Sequence, residues 1–216
     1  MTTIAPDTPL STLVRDGSKA EHEAAEGSSF MSELLAGRID AAGYAHYLAV
    51  LRPVYVALEA VGRELADDPI AGGLVDPDLE RLAALDADLA FWTKGAGLAV
   101  ISPAADAYVA RIEATRADPK LFVAHHYTRY LGDLSGGQAI GRILARTYAL
   151  EQPQGVQFYD FVAIPKPKPY KDDYRARLDA LPLDEAERAA VLAEVKDVFA
   201  LNGALFAELT EALVRT

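Results

Sequence analysis

The residues of this chain best suited to chemistry are a few histidines and one carboxylate enclosed by glycines. His22 is followed four residues later by Glu26, and side chains at that spacing share a helix face within reach of each other. A metal-bound imidazole normally gives its second N–H to a carboxylate or carbonyl, so this pair is suited to holding a metal. A solvated ion pair is the alternative, because a lone helical histidine is more often structural than a ligand. The other histidines are His46, His125 and His126.

Other ligand chemistry in this chain is limited. His125 and His126 are adjacent, so on a helix their side chains point in different directions and cannot both bind one ion. The chain has no cysteine, which excludes disulfides, thiolate metal sites, Fe–S clusters and cysteine nucleophiles. Imidazole and carboxylate groups remain, and His22 is the first candidate among them.

Glycines interrupt the segment Lys120–Tyr148, which otherwise has helical periodicity, at Gly132, Gly136, Gly137 and Gly141. Each glycine costs about 1 kcal/mol relative to alanine in a helix interior, so something should offset the loss. Gly132 and Gly136 lie on one helix face, where the missing side chains would let a flat ligand or another backbone come close. Close helix packing or a simple loop explains the segment equally well. No Gly-Lys-Ser/Thr follows, which excludes a phosphate loop.

Three charged side chains allow both a functional and a structural interpretation. Asp133 lies between the glycines, where it could order water over a reactive centre. It could instead cap the continuing half of a kinked helix, which is the simpler explanation from sequence alone. Lys171 and Arg175 share a helix face in a basic cluster and could hold carboxylates by charge-assisted hydrogen bonds. A solvated helix face is the alternative for that pair.

The elements that must position these residues are helices. Apolar residues recur at spacings of three and four, and no strand-like alternation is convincing. We therefore predict an all-α fold of roughly seven to nine helices packed on one core. Pro53 should kink its helix or mark a junction, and Gly17 is a weak point in the first helical segment. The segment Glu151–Pro169 is expected to be a loop. Helical segments are expected at Thr8–Glu26, Ala41–Ala66, Asp78–Trp92, Pro103–Ala117, Lys120–Tyr148, Asp172–Leu181 and Leu183–Leu213.

The whole chain fits one domain of 216 residues, with residues 1–8 expected to be a flexible tail. Its 32 acidic and 21 basic residues give a net charge of −11, which makes it a poor general binder of nucleic acid or anionic membrane. No apolar run approaches the ~20 residues needed to span a bilayer. The N-terminal residues lack the charge and apolar pattern of a secretory signal. We therefore expect a cytoplasmic protein with no membrane span and no nucleic-acid partner.

Several segments together resemble the haem oxygenase family. The similarity extends from about Leu10 to Leu213 and includes distant parts of the chain. The string HHYTRYLGDLSGGQ at 125–138 resembles the family signature, which is specific. Also similar are the proximal-histidine segment His22–Glu26 with Phe30 and Met31 after it, the stretch Tyr55–Glu59, and Asn202 with Phe206.

The resemblance implies a multi-helix bundle with one b-type haem sandwiched between a proximal helix and a kinked, glycine-rich distal helix. His22 would be the axial iron ligand, and Glu26 would hold its other ring nitrogen. The implied catalytic residues are Asp133, which would hold an ordered water, and Gly132, Gly136, Arg129, Tyr55 and Asn202. The other implied haem-binding residues are Thr128, Gly137, Phe199 and Phe206, together with Arg15, Tyr127, Lys171 and Arg175, four residues that match positions meeting the haem propionates.

The resemblance also implies a reaction. Haem, O2 and electrons from an external donor, a ferredoxin or flavoprotein reductase, would yield biliverdin, CO and Fe2+, and the protein would serve iron acquisition. Haem is then cofactor and substrate together, so the protein contributes placement and proton control. A carboxylate acting through water, such as Asp133, can deliver protons without a strong acid beside the oxygen.

Other functions compete with this one. A haem carrier without turnover would share His22 and the basic residues but would not need Asp133. A thiaminase of similar helical fold uses a cysteine nucleophile, which this chain lacks. A non-haem di-iron oxygenase needs a set of inward Glu and His ligands at helical spacing, and the sequence offers only the His22–Glu26 pair.

Overall fold

The structure is a computed structural model that describes residues 8–151 and 154–214. Within those ranges it contains α-helices and no β-strand, so the predicted all-α class is confirmed. Residues 1–7 of the predicted N-terminal tail lie outside the described residues. The helices are α1 (Leu10–Gly17), α2 (Lys19–Glu26), α3 (Ser29–Leu35), α4 (Ala41–Glu64), α5 (Leu82–Thr93), α6 (Pro103–Ala114), α7 (Pro119–His126), α8 (Gln138–Thr147), α9 (Pro167–Asp179) and α10 (Glu185–Leu213).

Capping side chains explain where the two longest helices begin. At the start of α4, Asp40 accepts a hydrogen bond from the backbone N–H of Gly43 at 2.7 Å. At the start of α10, Asp184 accepts from the backbone N–H of Glu187 at 2.8 Å, and the Glu187 carboxylate accepts from the Asp184 N–H at 3.0 Å. This reciprocal pair is a capping box. Pro53 lies inside α4 without ending it, so it does not mark a junction.

The described ranges contain ten α-helices instead of the predicted seven to nine, because the predicted helix Thr8–Glu26 is divided at Ser18 and α3 was not predicted. Two predicted helix starts were also wrong by four residues or more. Helix α9 begins at Pro167, five residues before the predicted Asp172, so the expected loop to Pro169 is shorter than predicted. Pro167 and Pro169 occupy the first turn, where backbone N–H groups have no intrahelical acceptor and proline is therefore tolerated. Helix α5 starts later than predicted, because Pro77–Leu79 forms a separate 3-10 turn.

The glycine-rich stretch is helical and not a loop. Between α7 and α8 the chain forms two π-helical segments, Tyr127–Leu131 and Asp133–Gly137. We call the whole of residues 119–147 the distal helix. π-Helical turns are rare, widen the helix and are frequent at functional sites. The predicted interruption of this helix therefore takes the form of a local change in hydrogen-bonding register.

Helices α4 and α10 organise the core. Helix α4 packs against α5 and α6, and α10 packs against α2, α3, α6 and α7. Asn202 is buried among apolar neighbours on the inward face of α10, which comprises Val191, Val195, Val198, Leu205 and Leu209 at the predicted helical spacing. Each fully buried side chain of this kind contributes roughly 1.5–3 kcal/mol. None of the helices in the described ranges is long and apolar enough to cross a membrane.

Candidate functional site

A cavity of about 620 Å3 opens between α1, α2, the distal helix and α10. That volume is typical of sites for small molecules and cofactors. Tyr55, a predicted catalytic residue, and Lys171, a predicted haem-binding residue, are not among the lining residues, and both roles stay predictions. The predicted residues that do line the cavity are Arg15, His22, Glu26, Tyr127, Thr128, Arg129, Gly132, Asp133, Gly136, Gly137, Arg175, Phe199, Asn202 and Phe206.

His22 presents an accessible imidazole to this cavity. Its side chain is 50% exposed, and its Nδ1 lies 3.6 Å from Glu26 Oε2. That distance allows an ion pair but exceeds a normal hydrogen bond. The ring of Phe199 packs edge-on against the imidazole, with 5.6 Å between ring centroids. The second ring nitrogen, Nε2, thus remains available as a metal ligand.

The glycines of the distal helix divide into two functional pairs. A Cβ atom placed on Gly132 or Gly136 would meet no other side chain or distant backbone within 4 Å, and both residues line the cavity. A Cβ on Gly137 or Gly141 would lie 3.0 Å from an atom of Tyr159. Close packing therefore explains Gly137 and Gly141. It does not explain Gly132 and Gly136, where the missing side chains leave space in the cavity.

Asp133 is the terminal acceptor of a buried hydrogen-bond network. Arg129 donates to the Tyr55 hydroxyl through Nε at 3.1 Å and through Nη2 at 2.6 Å, and Tyr55 in turn donates to Asp133. Arg129 Nη1 donates to Asn202 Oδ1 at 2.8 Å, and Asn202 donates to the Val198 carbonyl at 3.0 Å. The Asp133 side chain therefore does not cap a helix, which was the simpler expectation. Tyr55 acts from behind the cavity, through Asp133.

Burial and charge set the protonation of this network. Burial raises the pKa of Asp133, although Arg129 and the Tyr55 hydrogen bond act in the opposite direction. Burial lowers the pKa of Arg129, but Tyr55 and Asp133 outweigh it and raise the pKa overall. Burial raises the pKa of Tyr55. The site therefore holds a charged guanidinium, a neutral phenol and a carboxyl group whose proton affinity is increased, which is the combination needed to hold and pass a proton.

Basic side chains lie at the mouth of the cavity, most of them with acidic neighbours. Arg15 Nε donates to Asp16 at 2.7 Å, and Arg175 Nη1 donates to Asp172 at 3.1 Å. Lys171 donates instead to the hydroxyl of Ser135, a lining residue, at 3.1 Å. Lys171 is thus beside the cavity rather than in its wall.

Of the other histidines, two belong to the core. His125 Nε2 is 2.8 Å from Glu194 Oε1, and His126 Nδ1 is 2.9 Å from the Tyr174 hydroxyl. Burial lowers the pKa of His126 to about 3, so this imidazole stays neutral. Neither lines the cavity. Across the described parts of the chain, no cluster of three or more His, Cys, Asp or Glu side chains is arranged to hold a metal ion.

Sequence reasoning missed several lining residues. Tyr47 on α4 and Tyr159, in the turn after α8, both line the cavity, and the buried Tyr159 hydroxyl has no hydrogen-bond partner among the described residues. Their spacing carries no signal of this, because contacts distant in sequence place them there. The other missed lining residues are Asp16, Ser18, Lys19, Ala25, Met31, Leu131, Ser135 and Ile140.

Comparison with known proteins places these features in one family. The family model described as "Heme oxygenase" matches residues 8–208. The chain is 39% identical over 211 residues to "Heme oxygenase 1" of Homo sapiens, covering 94% of this chain and 73% of that protein. It is 36% identical over 209 residues to "Heme oxygenase 1" of Synechocystis sp., covering 95% and 87%.

Solved structures of heme oxygenases are similar to this chain over almost its whole length. The crystal structure of Synechocystis heme oxygenase-1 in complex with heme has a TM-score of 0.91 and 36% identity, with 96% of this chain and 95% of that chain covered. The heme oxygenase of Leptospira interrogans has a TM-score of 0.88 and 35% identity, with coverage of 93% and 100%. This chain belongs to the haem oxygenase family of enzymes.

Proposed function

We propose that this protein binds one b-type haem, with His22 as the axial ligand, and cleaves the ring with O2 and external electrons. The products would be biliverdin, CO and Fe2+. One observation carries the proposal: a single cavity is lined both by an accessible imidazole, His22, and by the Asp133 end of a buried proton-holding network. A haem carrier needs the first feature but not the second.

The residues of the cavity fit haem in three respects. The imidazole of His22 is a suitable axial donor for haem iron. Gly132 and Gly136 leave open space where side chains would project, which suits a flat ring against the helix backbone. Thr128 lines the cavity with a buried hydroxyl that has no hydrogen-bond partner in the described parts of the chain, and a buried polar atom of this kind favours a polar ligand group.

The protein's own residues would place the ring and manage protons. Haem, when bound, supplies the oxygen chemistry. Phe199 and Phe206 offer apolar contact to the ring. Arg15 and Arg175, with Lys171 near them, can pair with two propionates by charge-assisted hydrogen bonds. A carboxylate ligand would compete with Asp16 for Arg15 and with Asp172 for Arg175.

Proton control is assigned to Asp133. Its Oδ2 is engaged by Tyr55, while Oδ1 lies 3.7 Å from Arg129 Nη2, beyond hydrogen-bond distance. Oδ1 can therefore accept a hydrogen bond from a water molecule in the cavity. Arg129 and Asn202 hold Tyr55 and the carboxylate in place, so the water would be held at a fixed position.

The wider setting rests on the family resemblance alone. We propose a ferredoxin or flavoprotein reductase as the electron donor, a cytoplasmic location, and a role in acquiring iron from haem. The absence of cysteine is compatible with a reducing compartment.

Hemin addition followed by a reductant under air tests the proposal. We expect a visible spectrum of histidine-ligated haem on addition, and then loss of that spectrum with formation of biliverdin and release of iron. A stable complex that is never degraded under these conditions would make the protein a haem carrier. Failure to bind hemin would contradict the assignment of the cavity.

A further inference from the structure

The segment 155–161 packs against the distal helix, and Tyr159 makes close contact with its glycines. Tyr159 lies against Gly137 and Gly141, since a Cβ added to Gly137 would be 3.0 Å from Tyr159 Cδ1 and one added to Gly141 would be 3.0 Å from Tyr159 Cβ. The neighbouring Phe158 packs edge-on against Tyr55, with ring centroids 5.2 Å apart. The position of this segment therefore bears on both the glycine-rich helix and the Asp133 network.

The same segment is held from its other side by α5. Asp88 is completely buried and accepts hydrogen bonds from the backbone N–H groups of Gln157 at 2.9 Å and Phe158 at 2.8 Å. Trp92, one turn further along α5, donates its indole N–H to the Gly155 carbonyl at 2.8 Å. Two side chains on one helix face thus fix the turn that carries Tyr159.

A buried carboxylate is a costly way to hold a turn. Removing a charge from water is unfavourable unless hydrogen bonds compensate it, and no ion pair in the described structure includes Asp88. Each of its two oxygens instead accepts one backbone N–H. An amide at this position would offer only one acceptor oxygen and would place an NH2 group against the second N–H. The carboxylate is therefore specific to this pair of donors.

We infer that Asp88 is a positioning residue, which acts through the 157–159 turn and Tyr159 to set the position of the glycine-rich part of the distal helix. Asp88 does not line the cavity, so its effect on a ligand would be indirect. Its consequence for the reaction rests on the proposed function, because the distal helix would limit which ring edge is exposed to attack. The predicted effect of Asp88 on the position of the distal helix does not depend on the proposed function.

Hydrogen–deuterium exchange of the full chain without haem tests the inference, with Asp88→Asn compared with Asp86→Asn. Asp86 lies on the same helix but is exposed and pairs with Arg52, and such surface pairs contribute little. We expect amides of residues 132–141 to exchange roughly tenfold faster in Asp88→Asn, as for the loss of about 1.4 kcal/mol, with the amides of α10 unchanged. Wild-type exchange at 132–141, or an equal increase throughout the chain, would overturn the inference.

A double-mutant cycle tests the contact independently of Asp88. Gly137→Ala should increase exchange at 132–141 in the wild-type background and have little further effect in a Tyr159→Ala background, where the opposing ring is absent. Tyr159→Phe, which keeps the ring, should behave as wild type. Equal effects of Gly137→Ala in both backgrounds would rule out the contact as the cause.

Turnover of the haem-loaded protein adds a second measurement, the proportion of biliverdin isomers, which a purely structural role of Asp88 would leave unchanged. We expect Asp88→Asn to change the proportion of biliverdin isomers, and Asp86→Asn to leave it as in wild type. An isomer pattern unchanged in Asp88→Asn would contradict positioning of the reactive edge. If wild type itself yields no biliverdin, the proposed function fails while the exchange results still decide the role of Asp88.

Discussion

At the scale of single residues, the distal network has a fixed direction. Arg129 can only donate, Tyr55 both accepts and donates, and Asp133 accepts. Because burial keeps Tyr55 neutral and the network keeps Arg129 charged, the hydrogen bonds cannot reverse. Burial raises the pKa of Asp133, and its carboxylate is the proton acceptor of this network that lines the cavity. Asp133 therefore depends on Tyr55 both for its orientation and for its proton affinity.

His22→Ala should remove the axial bond and lower haem affinity by more than roughly tenfold, since even changes around a metal ligand cost 10–100-fold. Added imidazole should restore part of the axial coordination, as measured by the visible spectrum. His46→Ala is the control, because His46 lies on α4 away from the cavity lining. Unchanged binding in His22→Ala without imidazole would refute the assignment.

Tyr55→Phe should raise the pKa of Asp133 further, because the Tyr55 hydrogen bond is one of the interactions that lower it. The part of the pH–activity profile that depends on Asp133 should therefore move to higher pH, and Asp133→Asn should abolish that part. Tyr55→Phe also removes the acceptor of two Arg129 donors, which should lower the free energy of unfolding by about 1–3 kcal/mol. A profile identical to wild type in Tyr55→Phe would separate Tyr55 from proton control.

Asp88 should make the folded protein less stable as pH rises, which is the opposite of the usual effect of a carboxylate. Burial raises its pKa to about 6 in the folded protein, against about 3.9 in an unfolded chain. The folded state therefore binds more protons between these values, and its stability should fall as pH rises from about 4 to about 6, by up to about 3 kcal/mol. Urea unfolding of wild type and Asp88→Asn across that range measures the difference, and Asp86→Asn is the control. A difference that does not vary with pH would show that Asp88 does not titrate there.

At the scale of elements, the sequence predicted most helices but not the form of the distal one. The limits of α4 were predicted within two residues, because apolar periodicity and caps are local signals. The π-helical segments were not predicted from sequence, and they contact Tyr55 and Tyr159, which come from distant parts of the chain. Such distance in sequence explains why Tyr47 and Tyr159 were missed as lining residues, whereas Asp133 and Gly132 were found in one continuous motif.

Alanine substitutions separate the two glycine pairs of the distal helix. Gly132→Ala and Gly136→Ala meet open space, so they should raise the free energy of unfolding by up to about 1 kcal/mol through helix propensity. Both should weaken haem binding, because the new methyl groups occupy the cavity. Gly137→Ala and Gly141→Ala should instead destabilise the protein, because each new Cβ lies 3.0 Å from Tyr159. Thermal unfolding and hemin titration of all four variants measure this, and the same sign of stability change in both pairs would contradict the division.

At the scale of the whole molecule, the charge of the chain opposes its proposed ligand. A net charge of −11 repels the two propionates of haem at long range. The cations of α9 at and beside the cavity, Lys171 and Arg175, oppose this repulsion locally. Lys171 donates to a neutral serine and not to a carboxylate, so its charge is less compensated than that of Arg175. The balance between repulsion by the net charge and attraction by the α9 cations should determine the rate of haem association and its dependence on salt.

Removing both α9 cations should expose the long-range repulsion. The variant Lys171→Gln with Arg175→Gln should bind hemin more slowly than wild type at low salt, and its association rate constant should rise more steeply with ionic strength. The two proteins should converge near 1 M salt, where the Debye length is about 3 Å. Stopped-flow mixing with dilute hemin measures these rates. A control variant, Lys94→Gln with Lys120→Gln, loses the same charge away from the cavity lining and should follow wild type more closely. If both double variants have the same salt dependence, net charge alone governs association and the α9 cations have no local role.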